Sequence, residues 1–270
     1  MSKTRFGALL ALLGVLAIAI IAAGCGGDDN ESTSGGKVET KESGKLIVGS
    51  DIPYPPFEQG RAPNYEGIDI ELVDAIAKDL NLDVEFVDTS FDTIFRDLAA
   101  GKFDMVASST TITPEREKTV DFSDPYFPAD QSLMVKKGSE IKTIDDVSGQ
   151  IVGAQKGTTG ADFAENETDA KTVRTYAEID DAFNALAAGQ VEAVINDCPI
   201  SKYAERSKPD LQVIEALTTD EQYGFAFQKG STGLEDSVNE SLKKLEDDGT
   251  YDKIVAKWLG NEPCKSVTSE

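Results

Sequence analysis

Histidine is absent from these 270 residues. Its absence removes the commonest general base, the commonest zinc ligand and every Ser-His or Cys-His dyad, so neither catalysis nor a metal centre is expected. Basic residues are also scarce, with 26 Lys and Arg against 49 Asp and Glu and a net charge of −23. Such a surface repels nucleic acid and anionic headgroups, which excludes a DNA- or RNA-binding function. A phosphate loop is missing too. The string from Gly153 to Thr159 (GAQKGTT) places Lys156 before Gly157 instead of after it, with the glycine spacing one residue short.

Cysteine occurs three times, as Cys25, Cys198 and Cys264, and there is one long uncharged run, the nineteen residues from Phe6 to Gly24. With Lys3 and Arg5 ahead of it and Ala22-Ala23-Gly24-Cys25 behind it, the run reads as a secretory signal over 1–24. Its end resembles a bacterial lipobox, in which Cys25 becomes the lipidated first residue, although Ala22 stands where leucine is commonest. A retained membrane-spanning anchor is the alternative that the length allows. Either way the rest of the chain is extracytoplasmic. Removal of Lys3 and Arg5 would leave 24 basic against 49 acidic residues, a net charge of −25. In an oxidising compartment Cys198 and Cys264 form an even pair, which favours one disulfide. Residues 25–44 are polar, rich in Gly and Ser and without an apolar period, and read as a flexible tether.

What the chain does have is a repeat. Asp92 to Ser109 and Asp180 to Asp197 match without a gap at seven positions, in the frame D-x-x-F-x-x-L-A-A-G-x-x-[DE]-x-V. Each copy reads as an amphipathic helix, a glycine C-cap and a short apolar strand. An offset of 88 is too long for a solenoid and implies two similar α/β halves. Open α/β sheets bind ligands beyond the carboxyl ends of their strands, so Ser108-Ser109 and Asn196-Asp197 are expected to face one cleft. Strands are expected near 45–50, 82–88, 103–108, 132–136, 151–154, 171–175, 191–196 and 211–214. Gln222 to Gln228 alternates as one further strand, and Thr113-Pro114-Glu115-Arg116 has the form of a helix start. Helices are expected at 91–100, from about 161, at 179–188, 233–247 and 250–259, and around Ile68, Leu72, Ile76 and Leu80.

Several strings occur together and in order: SDIPYPPF, YEGIDIELVDAIAKDL, FDTIFRDLAAGKFD, TITPEREKTVDFSDPY, Asn196-Asp197, QYGFAFQKG and LEDDGTYDKIVAKWLG. Over Lys45 to about Gly260 the chain resembles the polar amino acid-binding proteins of ABC importers, the family 3 extracellular solute-binding proteins that include glutamine- and lysine/arginine/ornithine-binding members. The resemblance implies an α/β, two-lobed periplasmic-binding-protein-like fold with two hinge crossovers (type II). Lobe 1 is expected at 45–128 and 223–262, and lobe 2 at 129–222.

It also implies a site. Arg116 would hold an α-carboxylate with a bidentate guanidinium, aided by Ser108, Ser109, Thr111 and Thr159. Asp197 would accept the α-ammonium; helix capping ahead of Pro199 is its plainer reading. Tyr54 and Phe91 would sandwich the ligand side chain, and Asp51 would meet its far end. Glutamine-binding relatives carry a lysine and a histidine where this chain has Gln155 and Asn196, and the lost positive charge favours an arginine- or lysine-type ligand. Glutamine or cystine is the alternative, and a cyclohexadienyl dehydratase-like enzyme shares the fold. The partners implied are a free L-amino acid, an ABC permease with its ATPase, and the membrane through a lipid anchor. No cofactor is expected, and the protein is expected to be a monomer.

Overall fold

The computed structural model describes residues 38–260. The first half runs β1 (Lys45–Ser50), β2 (Gln59–Arg61), β3 (Asn64–Glu66), α1 (Ile68–Asp79), β4 (Asp83–Asp88), α2 (Phe91–Ala99), β5 (Met105–Val106), β6 (Val120–Phe122) and β7 (Phe127–Pro128). The chain then builds β8 (Gln131–Lys136), β9 (Ile151–Gln155), α3 (Thr159–Asn166), β10 (Thr172–Tyr176), α4 (Ile179–Ala187), β11 (Ala193–Asp197), α5 (Cys198–Ala204) and β12 (Leu211–Leu217). It returns through β13 (Gln222–Tyr223) to β14 (Ala226–Gln228), α6 (Thr232–Asp247) and α7 (Thr250–Leu259).

Two five-stranded sheets result, ordered β4-β1-β5-β14-β6 in lobe 1 and β10-β9-β11-β8-β12 in lobe 2. Their patterns correspond strand for strand. In each the fourth strand is antiparallel to both neighbours, β14 to β5 and β6, and β8 to β11 and β12. The three strands before it are parallel, in the order second-first-third along the chain. Between the sheets β7 and β13 pair antiparallel, as Gln222 with Pro128 and Tyr223 with Phe127. These are the two crossovers. Aromatic rings fill the hinge beneath them, with Phe57 edge-on to Phe127 at 5.0 Å and Tyr126 stacked on Phe225 at 4.5 Å.

The two repeat helices end alike. Gly101 and Gly189 adopt left-handed φ values of 72° and 70°, open to glycine at no steric cost. Lys102 then donates back to the Asp97 carbonyl at 3.0 Å and Gln190 to that of Ala185 at 2.8 Å, a Schellman closure in both copies. The strands that follow enter the sheets at equivalent places.

Four local expectations are revised. Thr113 does cap the next turn, accepting the Arg116 N–H at 3.2 Å, but that turn is a single 3-10 turn, Arg116–Lys118. The β-forming Val-Asp-Phe sequence follows at once as β6 and ends it. Helix α3 starts earlier than expected, because the Thr158 hydroxyl caps it by accepting the Ala161 N–H at 3.2 Å. The alternating run from Gln222 divides between two sheets at Gly224, where a Cβ would lie 2.9 Å from the Ile112 side chain. Finally, packed structure is already present before Lys45. Val38 packs on the main hydrophobic core, and the Asp104 carboxylate receives the N–H of Lys41 at 2.7 Å and of Ile47 at 2.8 Å.

Candidate ligand-binding site

The strands that deliver the lining residues do so at or beyond their carboxyl ends, which face the inter-lobe cleft. In lobe 1, β1 ends at Ser50 and delivers Asp51 and Tyr54, β4 leads to Phe91 at the start of α2, and β5 leads to Ser108, Ser109, Thr111 and Arg116. In lobe 2, β9 ends on Gln155 ahead of Thr158 and Thr159, and β11 ends on Asp197. These eleven residues line one cavity. All ten site positions read from the sequence are among them, and Thr158, which the sequence reading did not single out, is the eleventh.

Arg116 is the one cation among the described lining residues. Its guanidinium lies over the Phe95 ring at 4.7 Å and near that of Phe91 at 5.4 Å. It donates to the Thr111 carbonyl at 2.8 Å and, across the cleft, to the Gly157 carbonyl at 3.1 Å. Burial lowers its pKa, while the charges of Asp197 and Glu221 oppose that shift. Two of its five N–H donors are thus engaged, leaving three for a ligand. The first-turn N–H groups of α3, at Thr159 and Gly160, have no carbonyl one turn earlier in their own helix and form a natural anion-binding end.

Asp197 precedes α5 but does not cap it with its side chain. Its carboxylate instead accepts from Tyr54 at 2.8 Å, Tyr223 at 2.5 Å and Gln131 at 2.6 Å. Burial and the neighbouring Glu221 push its pKa up to about 6, against those three donors. At the other end Asp51, 2% exposed, accepts the Gln155 amide at 2.7 Å. Burial and the charges of Glu178 and Asp88 raise its carboxyl to about 7, opposed by Gln155 and the Phe91 N–H. One Glu178 oxygen is itself buried without a hydrogen-bond partner among the described residues. The single Tyr54 hydroxyl hydrogen is shared with the Asn196 side-chain oxygen, 3.0 Å away.

Ser109 departs from its expected part. It holds a left-handed φ of 47°, and its N–H goes to Asp69 at 2.9 Å while its hydroxyl goes to Glu58 at 3.2 Å. Both of its donors are therefore engaged behind the pocket. Glu58 and Asp69 are fully buried. Burial raises Glu58 well above the usual carboxyl range, with the charges of Asp69 and Asp51 adding to it, and burial likewise takes Asp69 to about 7. These acids, with Gln131, Tyr223 and Glu221, escaped sequence reasoning because each meets its partners across long sequence separations.

The match to known proteins is extensive. Residues 46–261 fit the family model of bacterial extracellular solute-binding proteins, family 3. This chain belongs to that family. It is 35% identical over 268 residues to the ABC transporter glutamine-binding protein GlnH of Bacillus subtilis, covering 95% of this chain and 98% of the relative. Among solved structures, an ancestral arginine-binding protein bound to arginine superposes with a TM-score of 0.76 at 38% identity, over 80% of this chain and 99% of that one. An ancestral amino acid-binding protein described as a precursor of cyclohexadienyl dehydratase superposes with a TM-score of 0.74 at 40% identity, over 80% and 96%. The named relatives are transport binding proteins. Among the described residues of this family 3 protein no acidic, histidine or cysteine cluster could hold a metal ion, and no helix is long and apolar enough to cross a membrane. Cys198 is buried and disulfide-bonded; Cys264 and Cys25 lie outside the described residues.

Proposed function

We propose that the protein captures a free L-amino acid with a cationic side chain, arginine or lysine, by closure of its lobes and delivers it to an ABC permease and its ATPase. The observation that carries this reading is the order of charges along one cavity. Arg116 and the α3 N-terminus suit a carboxylate, Asp197 suits the adjacent ammonium, and Asp51 closes the far end, with Glu178 and Asp88 adding negative charge around it. Arg116 alone among the described lining residues carries positive charge. A zwitterion neutralises its own end, whereas the Asp51 end stays electronegative and favours a guanidinium or ammonium. Phe91 and Tyr54 give that side chain two aromatic faces on its way to Asp51. Glutamine is the second reading, supported by the amide that Asp51 already accepts from Gln155 and by the relative named for glutamine.

Calorimetry of the mature domain against the twenty amino acids, ornithine, citrulline, cystine and prephenate tests the proposal. Arginine or lysine should bind most tightly. A preference for a neutral amino acid overturns the cationic assignment, and turnover of prephenate overturns the transport role.

Two covalent features complete the reading. Cys25 carries a lipid that anchors the protein outside the cytoplasm, so an unmodified Cys25 in mass spectra of membrane-derived protein refutes the anchor. Cys198 pairs with Cys264, closing a loop of about 65 residues worth on the order of 4 kcal/mol in the chain-entropy account. Two alkylatable thiols in the unreduced, unfolded mature protein refute the pairing.

A further inference from the structure

The second crossover carries an acid that reaches into both lobes. Glu221 precedes β13, and its backbone is fixed there. Its carbonyl accepts the Ala129 N–H of the first crossover at 2.9 Å, and the Asp130 carboxylate receives the N–H groups of Thr219 and Asp220 at 2.9 Å each. From that position one carboxylate oxygen accepts the hydroxyl hydrogens of Thr111, from lobe 1, at 2.9 Å and of Thr159, from lobe 2, at 2.6 Å. The fully buried Gln131 amide nitrogen donates to Asp197 at 2.6 Å and turns its second hydrogen toward Glu221, whose two oxygens lie 3.3 Å away, and toward the Thr159 hydroxyl at 3.2 Å. Thr111 and Thr159 line the ligand cavity, and Glu221 does not.

A threonine hydroxyl has a single hydrogen. Both hydroxyls give theirs to Glu221, so neither can donate to a ligand carboxylate in this arrangement, which leaves Arg116 and backbone N–H groups for that task. Because Glu221 stands outside the cavity lining, its bonds do not occupy the space of the ligand. They need the lobes together, since Thr111 and Thr159 come from opposite sides of the cleft. Opening the cleft separates the two hydroxyls, and one carboxylate oxygen can then follow only one of them.

We infer that Glu221 is a positioning residue, a hinge-borne latch that ties the two cavity threonines to each other in the closed state and slows release of whichever amino acid is bound. This inference rests on the amino acid-binding reading of the site. It differs from the role of Asp51, because it acts on the lobes and is blind to the ligand side chain.

The test is stopped-flow kinetics at pH 7.5 with arginine, lysine and glutamine. Glu221→Ala should speed dissociation of every bound amino acid by the same factor, about tenfold for the loss of hydrogen bonds to a charged group, while association changes less than about threefold. Glu221→Gln keeps the shape and an acceptor oxygen and should fall between. In a Thr111→Val, Thr159→Val background the effect of Glu221→Ala should vanish, a coupling that general destabilisation would not produce. Unchanged dissociation, additive effects or tighter binding in Glu221→Ala would overturn the latch. Should wild type bind none of the amino acids, the functional proposal fails by itself. Small-angle scattering of the ligand-free protein then decides the latch, which stands if Glu221→Ala has a larger radius of gyration than wild type and falls if the two are equal.

Discussion

The two repeat copies use matching positions for different ends. In lobe 1, Phe95 is only partly buried and carries the Arg116 guanidinium on its ring at 4.7 Å. In lobe 2 its counterpart Phe183 is fully buried in the core. Phe91 faces the cavity, whereas Ile179 at the matching position is core. At the strand ends, Ser109 has two buried acids behind it, while its counterpart Asp197 is itself the acid in the pocket. A shared helix frame thus fixes where a side chain stands, and the elements packed around it decide what it does. Lobe 1 turns its copy into a platform for a cation, and lobe 2 turns its copy into a wall.

That contrast can be broken at its charges first. Arg116→Ala or Asp197→Ala leaves a charged ligand group unpaired in the closed cleft, and binding of every amino acid should weaken by about 2–5 kcal/mol, roughly 30-fold to several thousand-fold by calorimetry. Equal affinity in Arg116→Ala would refute the placement of the ligand. Next come the paired phenylalanines. Phe183→Ala should cost about 3–5 kcal/mol of unfolding free energy in denaturant melts. Phe95→Ala should instead lower amino acid affinity by about 0.5–2 kcal/mol through the lost ring beneath Arg116, with a smaller loss of stability. Identical behaviour of the two variants would abolish the distinction between platform and wall.

The acids sharpen the comparison through pH. A cationic side chain binds ionised Asp51, whose carboxyl lies at about 7. Arginine affinity should therefore fall about tenfold between pH 8 and pH 6, with glutamine affected less, and Asp51→Asn should remove that slope along with most of the preference for arginine. A slope that survives in Asp51→Asn assigns the proton elsewhere. For stability the sign reverses from that of a salt-bridged carboxylate. Glu58 and Asp69 hold protons in the fold that the unfolded chain releases near pH 4, and Asp69 lies at about 7. Their contribution is full below about pH 4 and is lost as pH rises toward 7. Opposing them, Asp79, Asp92 and Asp121 are lowered by their lysine partners and lose their contribution in more acid solution. Thermal melts should give a Tm higher at pH 5 than at pH 8 by at least about 3 °C, and Glu58→Gln should reduce that difference. A Tm independent of pH over this range would contradict the buried pair.

Helices and strand ends were legible because their signals are local: a 3.6-residue period, a glycine two residues past the last helical turn, an apolar run. Pocket positions such as Asp51, Arg116 and Asp197 were implied by the family resemblance, and of these Asp51 and Asp197 sit directly at strand ends. Thr158 was not among the expected site positions, since it stands inside a glycine-rich turn. Its hydroxyl in fact serves the backbone, donating to the Gln155 carbonyl at 2.8 Å and accepting from Ala161. The turn at Thr113 was misjudged in length, since capping fixes where a turn begins and the β6 residues decide where it stops. Glu221, Gln131 and the Glu58–Asp69 pair gave no local sign, because burial and partners separated by 28 to 110 positions define them.

The fourth strands also set an order of assembly. All five strands of the lobe 2 sheet lie between Gln131 and Leu217, whereas the lobe 1 sheet lacks its link between β5 and β6 until β14 arrives at Gln228. A chain emerging from its N-terminus can therefore complete the second sheet before the first. Pulse-labelling hydrogen exchange during refolding should find β8–β11 amides protected no later than those of β5 and β6, and the reverse order would exclude this route. The first lobe to be synthesised is the last whose sheet can close, so the half that holds the arginine waits for the half that holds the wall.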